Sequence, residues 1–134
     1  MTMDETRTGY DWGQTARLRA RRDWLGLSAQ EMAEQMSKAA GRPLSRRSYQ
    51  RMESGENAIH ESIWETIEQV EAAMITAVEA LLSRVPEGAT EHVVHVPDEA
   101  SGWHRQVIAR AAHVDPRIRP KTNDDILAEQ EMTG

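Results

Sequence analysis

The residues best suited to chemistry sit close together in SRRSYQRMESG, positions 45 to 55. In a helix of roughly 100° per residue, Arg46, Arg47, Gln50 and Arg51 fall within a sector of about 140°, while Tyr49 and Met52 point the other way. A guanidinium presents paired donors to guanine O6 and N7, and a glutamine amide pairs in the same bidentate way with adenine N6 and N7. The spacing predicts one face that can enter a nucleic-acid groove and one that packs on a domain. Base reading and phosphate gripping are both open to each arginine.

Such a helix must be presented by neighbouring elements. Ser45 can cap it, with the helix ending near Gly55. Upstream, Ser28-Ala29-Gln30-Glu31 fits a capping box, with Met32, Ala33 and Met36 forming a buried face. Ala33 lies where two helices must approach closely, so a large residue there should be disruptive. Ser37 to Leu44, containing Gly41 and Pro43, reads as the end of that helix and a turn. A first helix is predicted from about Gly13 to Leu25, with Leu18, Arg21/Arg22 and Leu25 along one edge and Gly26 as a stop. From Leu27 to Gly55 this is the layout of a helix-turn-helix DNA reader. Arg17, Arg19, Arg21 and Arg22 are expected to be solvated or phosphate-facing, and Lys38 and Arg42 are candidate backbone contacts. Groups of that kind position a reader and do not specify sequence.

The charge distribution agrees with that layout. The 134 residues carry a formal net charge of -6. Between Gly13 and Met52, however, nine basic residues face three acidic ones, and from Glu53 onward sixteen acidic residues face six basic ones. A local basic footprint is what phosphate responds to, and the acidic remainder would stay off it.

Beyond the basic segment, Ile63, Ile67, Val70, Met74, Ala77/Val78 and Leu81 form a narrow apolar stripe between about His60 and Arg84. At about 1.5 Å per residue that helix would be nearly 40 Å long, more than a small reader can cover, so part of its stripe is expected to meet another subunit. Pro86-Glu87-Gly88 breaks it, His92 to Val96 reads as a short strand stopped by Pro97, and Ser101 to about His113 as a short helix containing Trp103, Val107 and Ile108. A lone strand needs a partner, and its own copy in a dimer is the simplest one. Trp103 is expected to be a core or interface anchor whose truncation weakens dimerisation. The expected dimer interface comprises Met74, Val78, Leu81, Val94, Val96, Trp103 and Val107.

The expected organisation is a flexible arm over 1–12, a DNA-binding domain over 13–72, a dimerisation region over 73–113 and a weakly ordered tail over 114–134. The absence of Phe and the reliance on Ala, Leu, Ile, Val and Met point to a mainly α class. The absence of cysteine removes disulfides, thiolate metal sites and a cysteine nucleophile. His92 and His95 face opposite sides of a strand, and His104 and His113 are roughly opposed on a helix, so no metal is expected. Asp124/Asp125 and the glutamates of the long helix read as solvated faces, which leaves no acid/base site, enzyme activity or cofactor expected. With no apolar leader and no membrane-length apolar run, the chain is expected to be soluble and cytoplasmic.

On GLSAQEMAEQM (26 to 36), SRRSYQRMESG (45 to 55) and the apolar helix that follows, residues from about Leu18 to Val70 resemble the lambda-repressor/Cro-like (XRE) helix-turn-helix family. More narrowly, SRRSYQRMESGENAI followed by a long helix, HVVHV and a Trp-led helix is similar to the autorepressors encoded beside phage anti-CRISPR genes. The resemblance implies a lambda-repressor-like domain followed by a long helix, one short strand and a short helix that make a homodimer, with the dimer repressing its own operon at an inverted repeat. By position it implies Ser45, Arg46, Arg47, Gln50 and Arg51 as recognition-helix contacts, Ser28 and Gln30 near phosphate, and Tyr49 and Met52 as core. The chain departs from the family in two places. Ala29 stands where Gln often follows the opening Ser, with Gln30 one position later, and the break between the two helices is longer than the usual tight turn. Arg42 in that enlarged turn is a candidate backbone contact.

The expectation is therefore a homodimeric repressor, phage or prophage encoded, that inserts the Ser45 to Ser54 helix into the major groove of an inverted-repeat operator in double-stranded DNA. The rival is an antitoxin that autoregulates through the same motif and neutralises a basic toxin with its acidic region from Val114. A third reading is a DNA-free interaction protein that uses the fold as a scaffold.

Overall fold

The computed structural model describes residues 10–11 and 14–133. The rest of the expected arm, and the expected helix start at Gly13, lie outside the described residues. Among the described residues the structure is mainly helical, with six helices, and the chain divides into two compact units between Ala73 and Met74.

In the first unit, β1 (Tyr10–Asp11) pairs antiparallel with β2 (Ile59–His60), so two residues of the expected flexible arm are paired strand. Between them lie α1 (Thr15–Leu25), α2 (Ala29–Ala40) and α3 (Arg46–Glu53). Helix α4 (Glu61–Leu82) follows, and the unit boundary falls within it. Gly26 ends α1 in the left-handed region at φ 72°, where its amide donates to the Arg22 and Asp23 carbonyls. Ser28 then opens α2 through the expected capping box: Oγ accepts from the Glu31 amide at 3.1 Å and the Glu31 carboxylate accepts from the Ser28 amide at 3.0 Å. Leu18, Leu25, Leu27, Met32, Ala33, Met36, Tyr49, Met52, Ile59, Trp64, Ile67 and Val70 are buried and make the core. Ala33 is 1% exposed, so a longer side chain there has no space to enter.

The second unit contains β3 (His92–Val96), α5 (Gly102–Val114), β4 (Ile118–Thr122) and α6 (Asn123–Thr133). Strands β3 and β4 are parallel, with His92 opposite Ile118 and Val96 opposite Thr122. Parallel strands need a crossover, and α5 supplies it, capped by the Ser101 hydroxyl on the His104 amide. This corrects two expectations. The strand His92–Val96 is not alone, since β4 is its partner within the chain, and residues 118–133 form a strand and a helix where a weakly ordered tail was expected. The physical reason is Ile118: at 2% exposure it joins Val96, Ile108 and Ala111 in the core, and α5 and α6 both pack on β4.

Among the described residues no helix is long and apolar enough to cross a membrane.

Candidate nucleic-acid interface

Helix α3 is only eight residues long, and its orientation is fixed by what lies beneath it. Tyr49 is fully buried and Met52 is 6% exposed, so both side chains lie in the core. Arg46, Arg47 and Gln50 are exposed on the other side, and Arg51 is half-buried. None of these four side chains forms a hydrogen bond or ion pair with a described residue. At the start of the helix, the Ser45 hydroxyl accepts from the Ser48 amide at 3.0 Å and donates to the Ser48 hydroxyl at 3.1 Å. Ser45 is therefore first a cap, although its side chain remains exposed.

The far end of α3 is tied down by charge. Arg22 of α1 donates through Nε and Nη2 to the two oxygens of Glu53, and through Nη1 to the Leu27 carbonyl. Burial works to raise the Glu53 pKa, but the Arg22 guanidinium and the neighbouring Tyr49 hydroxyl outweigh it and hold the carboxyl below its ordinary value. Its hydrogen bond to Glu53 holds the Arg22 guanidinium above its ordinary range. Burial, and then the Glu53 carboxylate, push the Tyr49 phenol up. All three groups thus keep one charge state across neutral pH.

Two further arginines of α1 are committed in the same unit. Arg21 makes a bidentate pair with Glu71 of α4, 2.6 Å on each arm, and Arg17 lies over the Trp64 ring at 4.1 Å from its centroid. The expectation of four solvated or phosphate-facing arginines is therefore corrected for Arg21 and Arg22, whose heads hold α1 against α4 and α3, while Arg17 stays exposed as it stacks on Trp64. Arg19 is exposed and makes no hydrogen bond, ion pair or ring contact among the described residues, although its charge helps hold the Glu53 carboxyl down. Arg22 carried a signal in the sequence: it sits one turn after Leu18 on the apolar edge, where a charge requires a counter-charge. Glu53, 31 residues away, carried none.

The remaining predicted contacts occupy the ends of α2. The Ser28 hydroxyl is engaged in the capping box, and Gln30 donates its amide to Glu34 at 3.0 Å, so Gln30 reaches phosphate only by leaving that carboxylate. Lys38 and Arg42 are exposed at the other end. Five residues, Gly41 to Ser45, separate α2 from α3.

The expected dimer residues fall in the second unit, and several are used within it. Met74 is fully buried, and Val78, Leu81 and Val96 are 8–9% exposed, which removes them as surface contacts. Within the second unit, Met74, Val78 and Leu81 line grooves shared with α5 residues. Val94, Trp103 and Val107 are half-buried. The apolar surface that remains is different: Ile75, Val93 and Val114 are exposed, as are Leu127 and Met132 on α6. Ile75 and Val114 border a groove of about 510 Å³ between α4 and α5, whose wall includes Leu82, Ala109 and His113. Hydrophobic period alone did not single out Ile75, since it lies beside Met74 off the main stripe.

No protein-family model matches the chain, and no curated protein or solved structure matches it at a significant level.

Proposed function

We propose that α2, the turn and α3 form a helix-turn-helix reader of double-stranded DNA, and that the protein is a homodimeric transcriptional repressor acting at an inverted repeat near its own promoter. The observation that carries this reading is the division of the arginines. Those of α1 that face the core are neutralised by Glu53 and Glu71, whereas Arg46, Arg47 and Arg51 of α3 keep uncompensated guanidinium groups on the face opposite Tyr49 and Met52. Fork-shaped donors on an exposed helix face suit guanine edges and phosphate, and Gln50 beside them suits adenine. The dimer reading draws on Ile75, Val93 and Val114, exposed apolar side chains in the second unit. The phage-type, autoregulatory setting rests on the sequence resemblance.

The test is a mobility shift on the DNA upstream of the gene, with a salt titration and scrambled competitor. A specific shift of an inverted repeat supports the repressor. Equal affinity for competitor, or no binding at low salt, overturns it.

One observation favours a second reading. Helix α6 presents exposed Leu127 and Met132 among Asp124, Asp125, Glu129 and Glu131, an acidic and partly apolar surface suited to a basic protein. An antitoxin that autoregulates through α3 would use it to neutralise a toxin. Specific co-purification with a small basic protein encoded next to the gene, lost on removing α6, would favour this reading.

A further inference from the structure

The five residues between α2 and α3 are not a slack loop. Every backbone turn they make returns to Ser37. The Gly41 and Arg42 amides donate to the Ser37 carbonyl at 3.0 and 3.3 Å, and the Leu44 amide donates to the Ser37 hydroxyl at 2.8 Å. That hydroxyl donates in turn to the Ala33 carbonyl at 2.8 Å, with the Leu44 carbonyl as an alternative acceptor at 3.2 Å. Gly41 holds φ +70°, with nothing within 4 Å of where a Cβ would stand. The far end of the turn is Ser45, already committed as the cap of α3. The connection is therefore pinned at both ends and at its middle, with Leu44 half-buried beneath it.

Two cations ride on this rigid piece. Lys38 follows Ser37 directly, and Arg42 follows Gly41. Both are exposed, and neither side chain has a partner among the described residues. Nothing in the packing requires a basic residue at either position.

We propose that the Ser37-locked turn is a second, preorganised phosphate clamp: Lys38 and Arg42 grip the DNA backbone beside the groove that α3 enters, and Ser37 is the positioning residue that holds them in register. This rests on the DNA-binding reading above. A mobile loop carrying the same charges would lose conformational freedom on binding, whereas a loop already bonded to Ser37 loses little. Phosphate contacts fix register without reading sequence, so the clamp contributes affinity on any duplex and leaves discrimination to α3.

The experiment is fluorescence anisotropy of the full chain with the operator duplex and with a scrambled duplex, between about 50 and 200 mM salt. Each phosphate contact contributes about 0.9 to the slope of log K against log salt, so Lys38→Ala and Arg42→Ala should each reduce the slope by about that amount. Each should weaken both duplexes by the same factor. Ser37→Ala keeps both charges but loosens the turn, so it should weaken both duplexes by one factor at every salt with the slope little changed, and change nothing further in the Lys38→Ala/Arg42→Ala background. Ser37→Thr, which keeps the hydroxyl, should restore the wild-type affinity. An unchanged slope in the Lys38→Ala/Arg42→Ala variant, with the wild type still selecting its operator, would overturn the clamp and leave the DNA reader standing. A wild type that binds neither duplex at the lowest salt would remove the reader itself. Both cation substitutions are at exposed positions, so the fold survives them and the slope stays measurable.

Discussion

Arg22 and Glu53 meet fork to fork, Nε to Oε2 at 2.7 Å and Nη2 to Oε1 at 3.0 Å, with the two side chains only 15% and 13% exposed. The pair joins the last turn of α1 to the last residue of α3, so it sets the angle at which the Arg46 and Arg47 face is presented. Truncating one partner leaves a largely desolvated charge behind. Glu53→Ala should cost about 2–3 kcal/mol in urea denaturation. Replacing both partners with apolar residues, Arg22→Met with Glu53→Leu, should recover much of that loss, because no stranded charge remains.

The same pair gives the stability a pH dependence of known sign. The folded Glu53 carboxyl titrates below its ordinary value of 4.5, so it stays ionised in the folded state at a pH where the unfolded chain has already taken up a proton. Its contribution is complete above the ordinary glutamate value and is lost as pH falls through the depressed one. The melting temperature should drop along an acid limb beginning near pH 4.5, to which Asp115 and Asp125, also depressed, add their shares. Glu53→Gln should start from a lower melting temperature at neutral pH and show a shallower limb.

The residues that signal local structure were legible in the sequence, and those that act at a distance were not. Ser28 with Glu31, Ser45, Gly26 and the strand His92–Val96 announce themselves through local bonding or alternation, and each stands where its signal placed it. The split of α3 into an exposed basic face and a buried Tyr49/Met52 face also follows from helical period alone. The pairing of Arg21 with Glu71 and the stacking of Arg17 on Trp64 do not, because a charge on a helix reads the same whether its partner is water or a distant carboxylate. The parallel ladder of β3 and β4 was hidden for a related reason. Ile118-Arg-Pro-Lys-Thr holds one buried apolar residue and a proline, too little pattern to mark a strand until α5 brings it back beside β3.

On the DNA-binding reading proposed above, Arg46→Ala and Arg47→Ala on the exposed face of α3 separate two kinds of contact. An arginine that reads a base should lose about 1–3 kcal/mol on the operator and relax preference at one base pair. One that grips phosphate should weaken operator and scrambled duplex alike. Neither change should alter urea stability by more than about 0.5 kcal/mol, since both side chains are exposed. Anisotropy on a set of single-base operator variants, with parallel denaturation, measures both quantities.

Ser45 tests whether a cap can be separated from a contact. Ser45→Ala removes the acceptor for the Ser48 amide and should cost about 1 kcal/mol of stability. Ser45→Asp keeps a good cap and adds favourable charge at a helix N-terminus, so its stability should match the wild type. On the DNA-binding reading it also places a carboxylate beside Arg46 and Arg47, where phosphate would approach. Ser45→Asp should therefore fold normally and bind every duplex more weakly, whereas Ser45→Ala should lose stability first.

The C-terminal segment distinguishes a folded strand from a loose tail. Ile118 is 2% exposed on β4, so Ile118→Ala should destabilise the second unit by about 2–4 kcal/mol. Truncation after Val114 removes the whole ladder opposite β3 and should abolish that unit's cooperative melting. Truncation after Thr122 keeps β4 and removes α6, which has no buried residue. It forfeits the hydrogen bond that Asn123 Oδ1 accepts from His95 Nε2 and the ion pair of Glu129 with Lys121, and should lower stability only modestly. The order Val114 cut, Ile118→Ala, Thr122 cut, from most to least damaging, is what the parallel pair requires. Equal and negligible effects from all three would return residues 118–133 to the status of a tail.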